Sequence, residues 1–229
     1  MESHTANPYS TIGTRTRIDK KTNTIEKEII HRCCSTLEAL ECYEEYISSL
    51  SDCDQFLATY CFCDKDKIKL CQQIYGVKFY EHEKEMEFNK LFKILPQIIS
   101  LFDYSISHKI YIDPHLSNFH IDDNKLKLVD CSPPYSKKYN YYVNRKCKTS
   151  HERFFLMRNC RFFRWDMLPF HFMGDLTEIA PQSTKYFSYL YQEFKVIMPK
   201  NIFMSEFIER SMMIRHHENL RIKHQYNLL

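Results

Sequence analysis

The sequence predicts an α+β fold, in which a hairpin–helix–hairpin is followed by a long amphipathic helix and then by a mainly helical stretch. Two periodicities carry that expectation. Short runs of β-branched and aromatic residues around polar turns occupy residues 11–30 and 56–75. Apolar residues at three- and four-residue steps occupy residues 88–102.

The elements follow in order. Residues 1–10 are polar and are expected to fray. Thr11 to Ile30 reads as a hairpin about the turn Asp19-Lys20-Lys21-Thr22-Asn23. Ser35-Thr36-Leu37-Glu38 offers an N-cap with an acid three residues on, opening a helix to about Leu50. Phe56 to Tyr60 and Ile68 to Tyr75 read as strands, with the charged turn Asp64-Lys65-Asp66-Lys67 between them. Phe88, Leu91, Phe92, Leu95, Ile98, Ile99 and Phe102 form one helical stripe, which Pro96 is expected to kink or break. Lys109-Ile110-Tyr111-Ile112 leads to Asp113. Two short strands, Phe119 to Ile121 and Leu126 to Val129, flank the turn Asp122-Asp123-Asn124-Lys125. A helix is expected from Ser183 to Ile197, and a basic one from about Ser205. No repeat or linker separates independent domains, so residues 1–229 read as one domain.

Bulk properties narrow the function classes. A chain of 229 residues, 44% apolar, can build one sizeable core, or a large lobe with a small one. The net charge of +3 is evenly spread and gives no nucleic-acid footprint. No apolar run approaches the roughly 20 residues of a membrane helix. Ten cysteines occur in a chain whose start, Met1-Glu2-Ser3-His4-Thr5, does not resemble a signal peptide. The expectation is therefore reduced, mostly buried thiols in a cytoplasmic protein.

The chemistry concentrates in Asp113-Pro114-His115-Leu116-Ser117-Asn118 and, after the short hairpin, Leu128-Val129-Asp130. Phosphoryl transfer needs an aligned hydroxyl, metal ions on the phosphates and little covalent help from the protein. A carboxylate that orients the hydroxyl and takes its proton is one requirement, and Asp113 is the candidate. An amide oxygen and a second carboxylate that hold magnesium are the other, and Asn118 and Asp130 are the candidates. The hairpin would bring Asn118 and Asp130 to the same end. The plainer reading is a surface loop with an ordinary Asp and Asn.

Residues 113–119 resemble the catalytic loop of the protein-kinase-like superfamily, especially its aminoglycoside-phosphotransferase-like small-molecule branch. They also resemble the equivalent loop of bacterial lipopolysaccharide core heptose kinases. The resemblance spans about residues 86–135. It implies a two-lobed fold with a reduced N-lobe (1–78) and a mainly helical C-lobe (79–229), and ATP and Mg2+ as cofactors. It makes Asp113 the catalytic base, Asn118 a metal ligand and Asp130 the main metal ligand. The implied activity moves the γ-phosphate to a hydroxyl of a small molecule or glycan. A minimal protein kinase, a pseudokinase serving as a binding module, and nucleotidyl transfer stay open. Oligomeric state and the identity of the acceptor are not legible.

The chain departs from the family pattern in three places. Tyr111-Ile112 precedes the catalytic Asp. Cys131-Ser132-Pro133-Pro134 follows the metal Asp, and two prolines stiffen that segment against a flipping activation loop. The glycine-rich loop is reduced to Gly13 in Thr11-Ile12-Gly13-Thr14. On the nucleotide side, Lys27 in Ile25-Glu26-Lys27-Glu28-Ile29 is the candidate for the phosphates, with Glu38 or Glu41 as its helix partner. Residues 72–76 are a candidate hinge against adenine. The plainer reading of Lys27 is a solvated strand residue.

Other features have bland readings first. Cys53, Cys61, Cys63 and Cys71 suit core thiols better than zinc, whose paired cysteines favour two to four intervening residues. His115 is expected to orient the loop backbone or contact a phosphate, and His120 to be a strand residue. The basic C-terminal stretch, Arg210 to His217 and Arg221 to His224, is expected to be a solvated helix face packing Met213, Ile214 and Leu220 inward. Attraction of an anionic substrate or membrane surface is the alternative. Trp165-Asp166, near Phe154, Phe155, Phe162 and Phe163, reads as a core with one buried carboxylate. Asp166 and Asp175 are the alternative substrate-positioning residues.

Overall fold

The computed structural model describes residues 12–31, 34–80, 87–110, 112–131, 134, 136–146 and 164–226. They form a mixed α+β structure. In chain order the elements are β1 (Ile12–Asp19), β2 (Thr24–His31), α1 (Thr36–Leu50), β3 (Thr59–Asp64), β4 (Lys67–Gln73) and β5 (Val77–Lys78). Then come α2 (Phe88–His108), β6 (Phe119–Asp122), β7 (Lys125–Leu128), α3 (Lys137–Lys146), α4 (Leu168–Ile179), α5 (Phe187–Phe194) and α6 (Met204–Tyr226). Among the described residues no helix is long and apolar enough to cross a membrane.

The chain divides into two compact units, Met1–Tyr75 with Cys131–Arg161, and Gly76–Asp130 with Phe162–Leu229. The first boundary falls within a few residues of the expected 78. Residues 131–161, however, join the first unit rather than the second. The reason lies in α3: Lys138 pairs with Glu41 and Arg145 with Glu38, each at 2.6 Å, while Tyr139 is buried with its hydroxyl 3.4 Å from His31 Nδ1.

In the first unit an antiparallel sheet runs β1-β2-β4-β3. Alternation gives it two unlike faces. One carries Ile29, Ile68 and Leu70, all buried, and packs with the buried stripe Ala39, Cys42, Tyr43, Tyr46 and Leu50 of α1. The other carries an ion-pair ladder: Lys67 with Glu28 at 2.7 Å, and Lys69 with Glu26 at 3.1 Å and Asp64 at 2.9 Å. The predicted N-cap forms in full. Ser35 Oγ accepts the Glu38 N–H, and Glu38 Oε2 accepts the Ser35 N–H.

In the second unit α2 is the spine. It buries Phe88, Leu91, Ile94, Leu95, Ile98, Leu101, Phe102 and Ser105. Pro96 does not break it: the helix runs unbroken from Phe88 to His108, with Pro96 on the exposed side, where the carbonyl it leaves unbonded can meet water. Phe102 stacks on Phe194 with centroids 5.9 Å apart and meets Phe172 edge-on at 5.8 Å. Each such ring contributes roughly 2–3 kcal/mol by leaving water. The expected helix from Ser183 arrives as a 3-10 turn over Pro181–Tyr186 followed by α5. In α6, Phe207, Ser211 and Ile214 form the inward stripe, while Met213 points outward; the Leu220 side chain lies outside the described residues. The expected cluster of Phe154, Phe155, Phe162 and Phe163 also lies outside them.

A three-stranded sheet, β5-β6-β7, completes this unit. The β6–β7 hairpin turns on Asp123 and Asn124, both at positive φ (45° and 62°), as a two-residue hairpin of matching twist requires. Gly76 sits where β5 meets β6, at φ 45°, and a Cβ there would lie 2.1 Å from the Ile121 carbonyl oxygen. The neighbour is backbone on a paired strand, so it cannot give way. Gly76→Ala should therefore destabilise the chain by more than about 2 kcal/mol, read as a lower urea midpoint at unchanged slope.

Candidate active site

The three residues expected to do the chemistry all lie in the second unit, on one continuous stretch. After α2, Lys109 takes the left-handed conformation at φ 57° and ends the helix. Ile110 and Ile112 are buried, which anchors the chain on either side of Tyr111, itself outside the described residues. Asp113 follows. Its Oδ1 accepts the His115 N–H at 3.1 Å, closing a tight side-chain turn. A 3-10 turn over Leu116–Asn118 then delivers the chain to β6.

The hairpin does what its register requires. Phe119 pairs with Leu128, and the Val129 N–H donates to the Asn118 carbonyl at 2.9 Å. Asn118 is thus fixed beside Val129, one residue from Asp130. The Asn118 Nδ2 makes a long 3.5 Å contact with the Asp113 carbonyl, which leaves its Oδ1 as the atom available to a cation.

Two side chains from outside the stretch hold it in place. Gln97 of α2 reads the hairpin as a strand would. Its Nε2 donates to the Asn124 carbonyl at 2.7 Å, and its Oε1 accepts the Leu126 N–H at 2.8 Å. Asp175 of α4, only 5% exposed, accepts the Leu116 N–H through Oδ2 at 3.0 Å. The buried carboxylate of this region is therefore Asp175. Asp166 is half-buried and pairs locally with Arg164. Neither anchor was expected in this role. The available signal was an acid within the apolar α4 sequence Leu168–Ile179; Gln97 lies beside the apolar stripe of α2 and gave none.

The electrostatics are unusual for an aspartate. Asp113 is partly exposed by surface, but its carboxyl is densely surrounded by protein. Loss of hydration pushes its pKa up from the ordinary 3.8 to about 6. The His115 charge and backbone N–H pull the other way, and the Asp130 and Asp175 carboxylates push it further up. The Asp130 and Asp175 carboxylates thus both act on Asp113. Asn118 Oδ1 and the Asp130 carboxylate are hard oxygen donors of the type that could hold magnesium. Among the described residues no group of three or more His, Cys, Asp or Glu side chains forms a metal cage.

His115 is placed by the same acid. Its Nδ1 lies 3.1 Å from Asp175 Oδ1, a fully buried oxygen with no hydrogen-bond partner among the described residues, so the approach is an ion-pair distance without hydrogen-bond geometry. A bare Nδ1 lone pair would repel a carboxylate oxygen at that distance, so Nδ1 carries the hydrogen. His120 is a strand residue of β6, paired with Lys127 and Lys78.

The nucleotide-side candidates belong to the first unit. Lys27 lies on β2 opposite Leu70, so its half-buried side chain shares the apolar face with Ile29, unlike Lys67 and Lys69 on the charged face. That placement differs from a solvated strand residue. Both carboxylate oxygens of Glu38 have partners already, Ser35 on one and Arg145 on the other, and Glu41 pairs with Lys138. Gly13 sits in β1 opposite Ile30, at the far end of the hairpin from its turn. The cysteine set does not converge. Cys53 is buried, Cys61 and Cys63 share one face of β3, and Cys71 lies opposite Tyr60 on the other face, with Cys63 exposed.

No protein-family model matches the chain, and no curated protein is detectably similar to it in sequence.

Two titrations check this geometry. Asp113 should titrate near 6 by carboxyl carbon NMR, and Asp130→Asn, by removing a like charge, should lower that value. Because the folded pKa lies above the unfolded one, ionised Asp113 opposes folding above pH 6, by at most about 3 kcal/mol. That penalty fades as pH falls from 6 to 3.8. Separately, nitrogen-15 spectra of His115 should show the Nδ1–H tautomer, and Asp175→Asn should shift the population toward Nε2–H. An Nε2–H ring in the unaltered protein would refute the Asp175 contact.

Proposed function

We propose that the chain is an ATP- and magnesium-dependent phosphotransferase that moves the γ-phosphate to a hydroxyl of a small molecule or glycan. The observation that carries this reading is the Asp113–Asp130 stretch. A carboxyl with pKa raised to about 6 sits in a loop whose Asn118 is tied by a backbone hydrogen bond beside Asp130.

The residues divide the work simply. At neutral pH Asp113 is mostly ionised, yet basic enough to accept a proton, which is the poise a general base needs. It orients the acceptor hydroxyl and takes its proton as the oxygen bonds to the γ-phosphorus. The bond from that phosphorus to its bridging oxygen breaks, and the electron pair leaves on ADP. Magnesium, when bound by Asn118 and Asp130, supplies positive charge to the phosphates. Lys27, half-buried on its apolar face, is the residue proposed for the α- and β-phosphates.

A small-molecule or glycan acceptor is favoured over a protein because Pro133-Pro134, just after Asp130, stiffens the place where a regulated activation segment would flip. A second reading, a non-catalytic binding module with the same fold, draws on Gly13 and Glu38. Gly13 is a strand residue, and Glu38 is engaged by Ser35 and Arg145.

Calorimetric titration with ATP separates the two. The phosphotransferase should bind ATP more tightly with magnesium present, and Asp130→Ala should remove that gain, about ten-fold or more in Kd. Turnover should then rise with pH as Asp113 ionises, with a midpoint below the metal-free value of about 6 because the bound cation favours the carboxylate, and Asp113→Ala should abolish it. ATP binding that ignores magnesium, or no binding at all, would leave the binding module.

A further inference from the structure

The α5–α6 connection in the second unit has a surface that the proposed chemistry does not use. It is a nine-residue loop, residues 195–203, closed at its base. Tyr191 Oη donates to the Ile202 carbonyl at 2.7 Å, and the Met198 N–H to the Phe194 carbonyl at 3.2 Å. The Ile202 N–H turns back to the Pro199 carbonyl at 3.2 Å. Met198 and Ile202 are buried and pin the loop from within. Its remaining apolar side chains have no such place. Val196 is 77% exposed and Phe203 73%, and Met204, the first residue of α6, is 42% exposed.

An exposed valine or phenylalanine alone is ordinary. Here they crowd onto one short loop that is tied at its base. Burying them would return roughly 1.5–3 kcal/mol for each large side chain, so the surface has a reason to be covered. The charge pattern says by what. Lys195 and Lys200 are exposed on the same loop, and no acidic residue occurs between Glu193 and Glu206. Lysines beside aromatic and aliphatic side chains, with no acids among them, suit an interface of anionic headgroups over acyl chains.

We propose that the loop of residues 195–204 is a membrane-surface anchor that inserts Val196, Phe203 and Met204 among the lipids, with Lys195 and Lys200 on anionic headgroups. The chain then lies on the membrane rather than crossing it.

Vesicle co-sedimentation with the full chain tests this. Binding should be weak to phosphatidylcholine vesicles, should rise several-fold when phosphatidylserine is included, and should fall with added salt. Phe203→Ser should lower the partition coefficient roughly ten-fold, and the Val196→Ser, Phe203→Ser double variant should lose it. Lys195→Glu with Lys200→Glu should remove the phosphatidylserine dependence. All four side chains are exposed, so an unchanged thermal midpoint confirms that each variant folds. No binding of the unaltered chain to either vesicle would overturn the proposal. So would binding that survives the double variant, which would move the contact to the basic α6. A concentration-dependent dimer that the double variant dissolves would overturn it too, since a second copy would then cover the loop. None of these outcomes depends on phosphotransferase activity.

Discussion

The buried carboxylate of Asp175 is the interaction on which the candidate site depends. It projects from α4, where Leu168, Phe170, Phe172, Met173 and Leu176 are all buried. Such surroundings give an anionic oxygen no water, so its donors must come from the protein. The loop after Asp113 supplies one, the Leu116 N–H on Oδ2, and brings the His115 ring nitrogen to 3.1 Å from Oδ1 without a hydrogen bond. Displacing that loop would strand a buried carboxylate, at a cost of several kcal/mol. The loop is therefore held two residues downstream of Asp113 and two upstream of Asn118, in addition to the turn that the Asp113 side chain itself closes on the His115 N–H.

Gln97 serves the other end in the same way. A hairpin of two four-residue strands is marginal alone. The α2 amide satisfies both an acceptor and a donor on its turn side, and Phe119, Leu126 and Leu128 are buried. The pair Asn118 and Asp130 inherits its rigidity from α2 by this route. Sites held by rigid elements keep their geometry better than sites held by loops. Here a loop and a hairpin carry the candidate residues, and α4 holds the loop while α2 holds the hairpin.

What was legible in the sequence was what short-range physics decides. The capping box at Ser35 and Glu38 depends on four residues. The β6–β7 turn depends on Asp123 and Asn124 tolerating positive φ. The β1–β2 hairpin follows from alternation around a polar turn, whereas β3 forms over Thr59–Asp64 rather than Phe56 to Tyr60, because the tight Lys65-Asp66 turn carries the pairing with β4 right up to Asp64. The co-location of Asn118 and Asp130 follows from strand register alone, and so it too could be read in advance. What was illegible depended on the third dimension. Pro96 was expected to interrupt α2, but its effect turns on which side of the helix it occupies, and it lies outward. Met213 was placed inward, whereas the stripe of Phe207, Ser211 and Ile214 passes it by. Residues 131–161 were assigned by sequence position to the second unit. Ion pairs from α3 to Glu38 and Glu41 attach them to the first, and sequence spacing gives no view of contacts across about a hundred residues.

The arrangement around Asp113 also shows how a fold can hold a group in a state that opposes its own stability. Burial and two neighbouring carboxylates make ionised Asp113 unfavourable, while the His115 N–H and ring charge offset only part of that. A site selected for stability alone would replace one of the three acids with an amide. Retaining all three makes sense where something positive completes the balance, because a cation at Asn118 and Asp130 would convert mutual repulsion into attraction. The same cation would lower the pKa of Asp113 and sharpen its readiness to orient a hydroxyl. Charge crowding at Asp113 would be relieved by such a ligand, with Asp175 and Gln97 holding the stretch in place until it arrives.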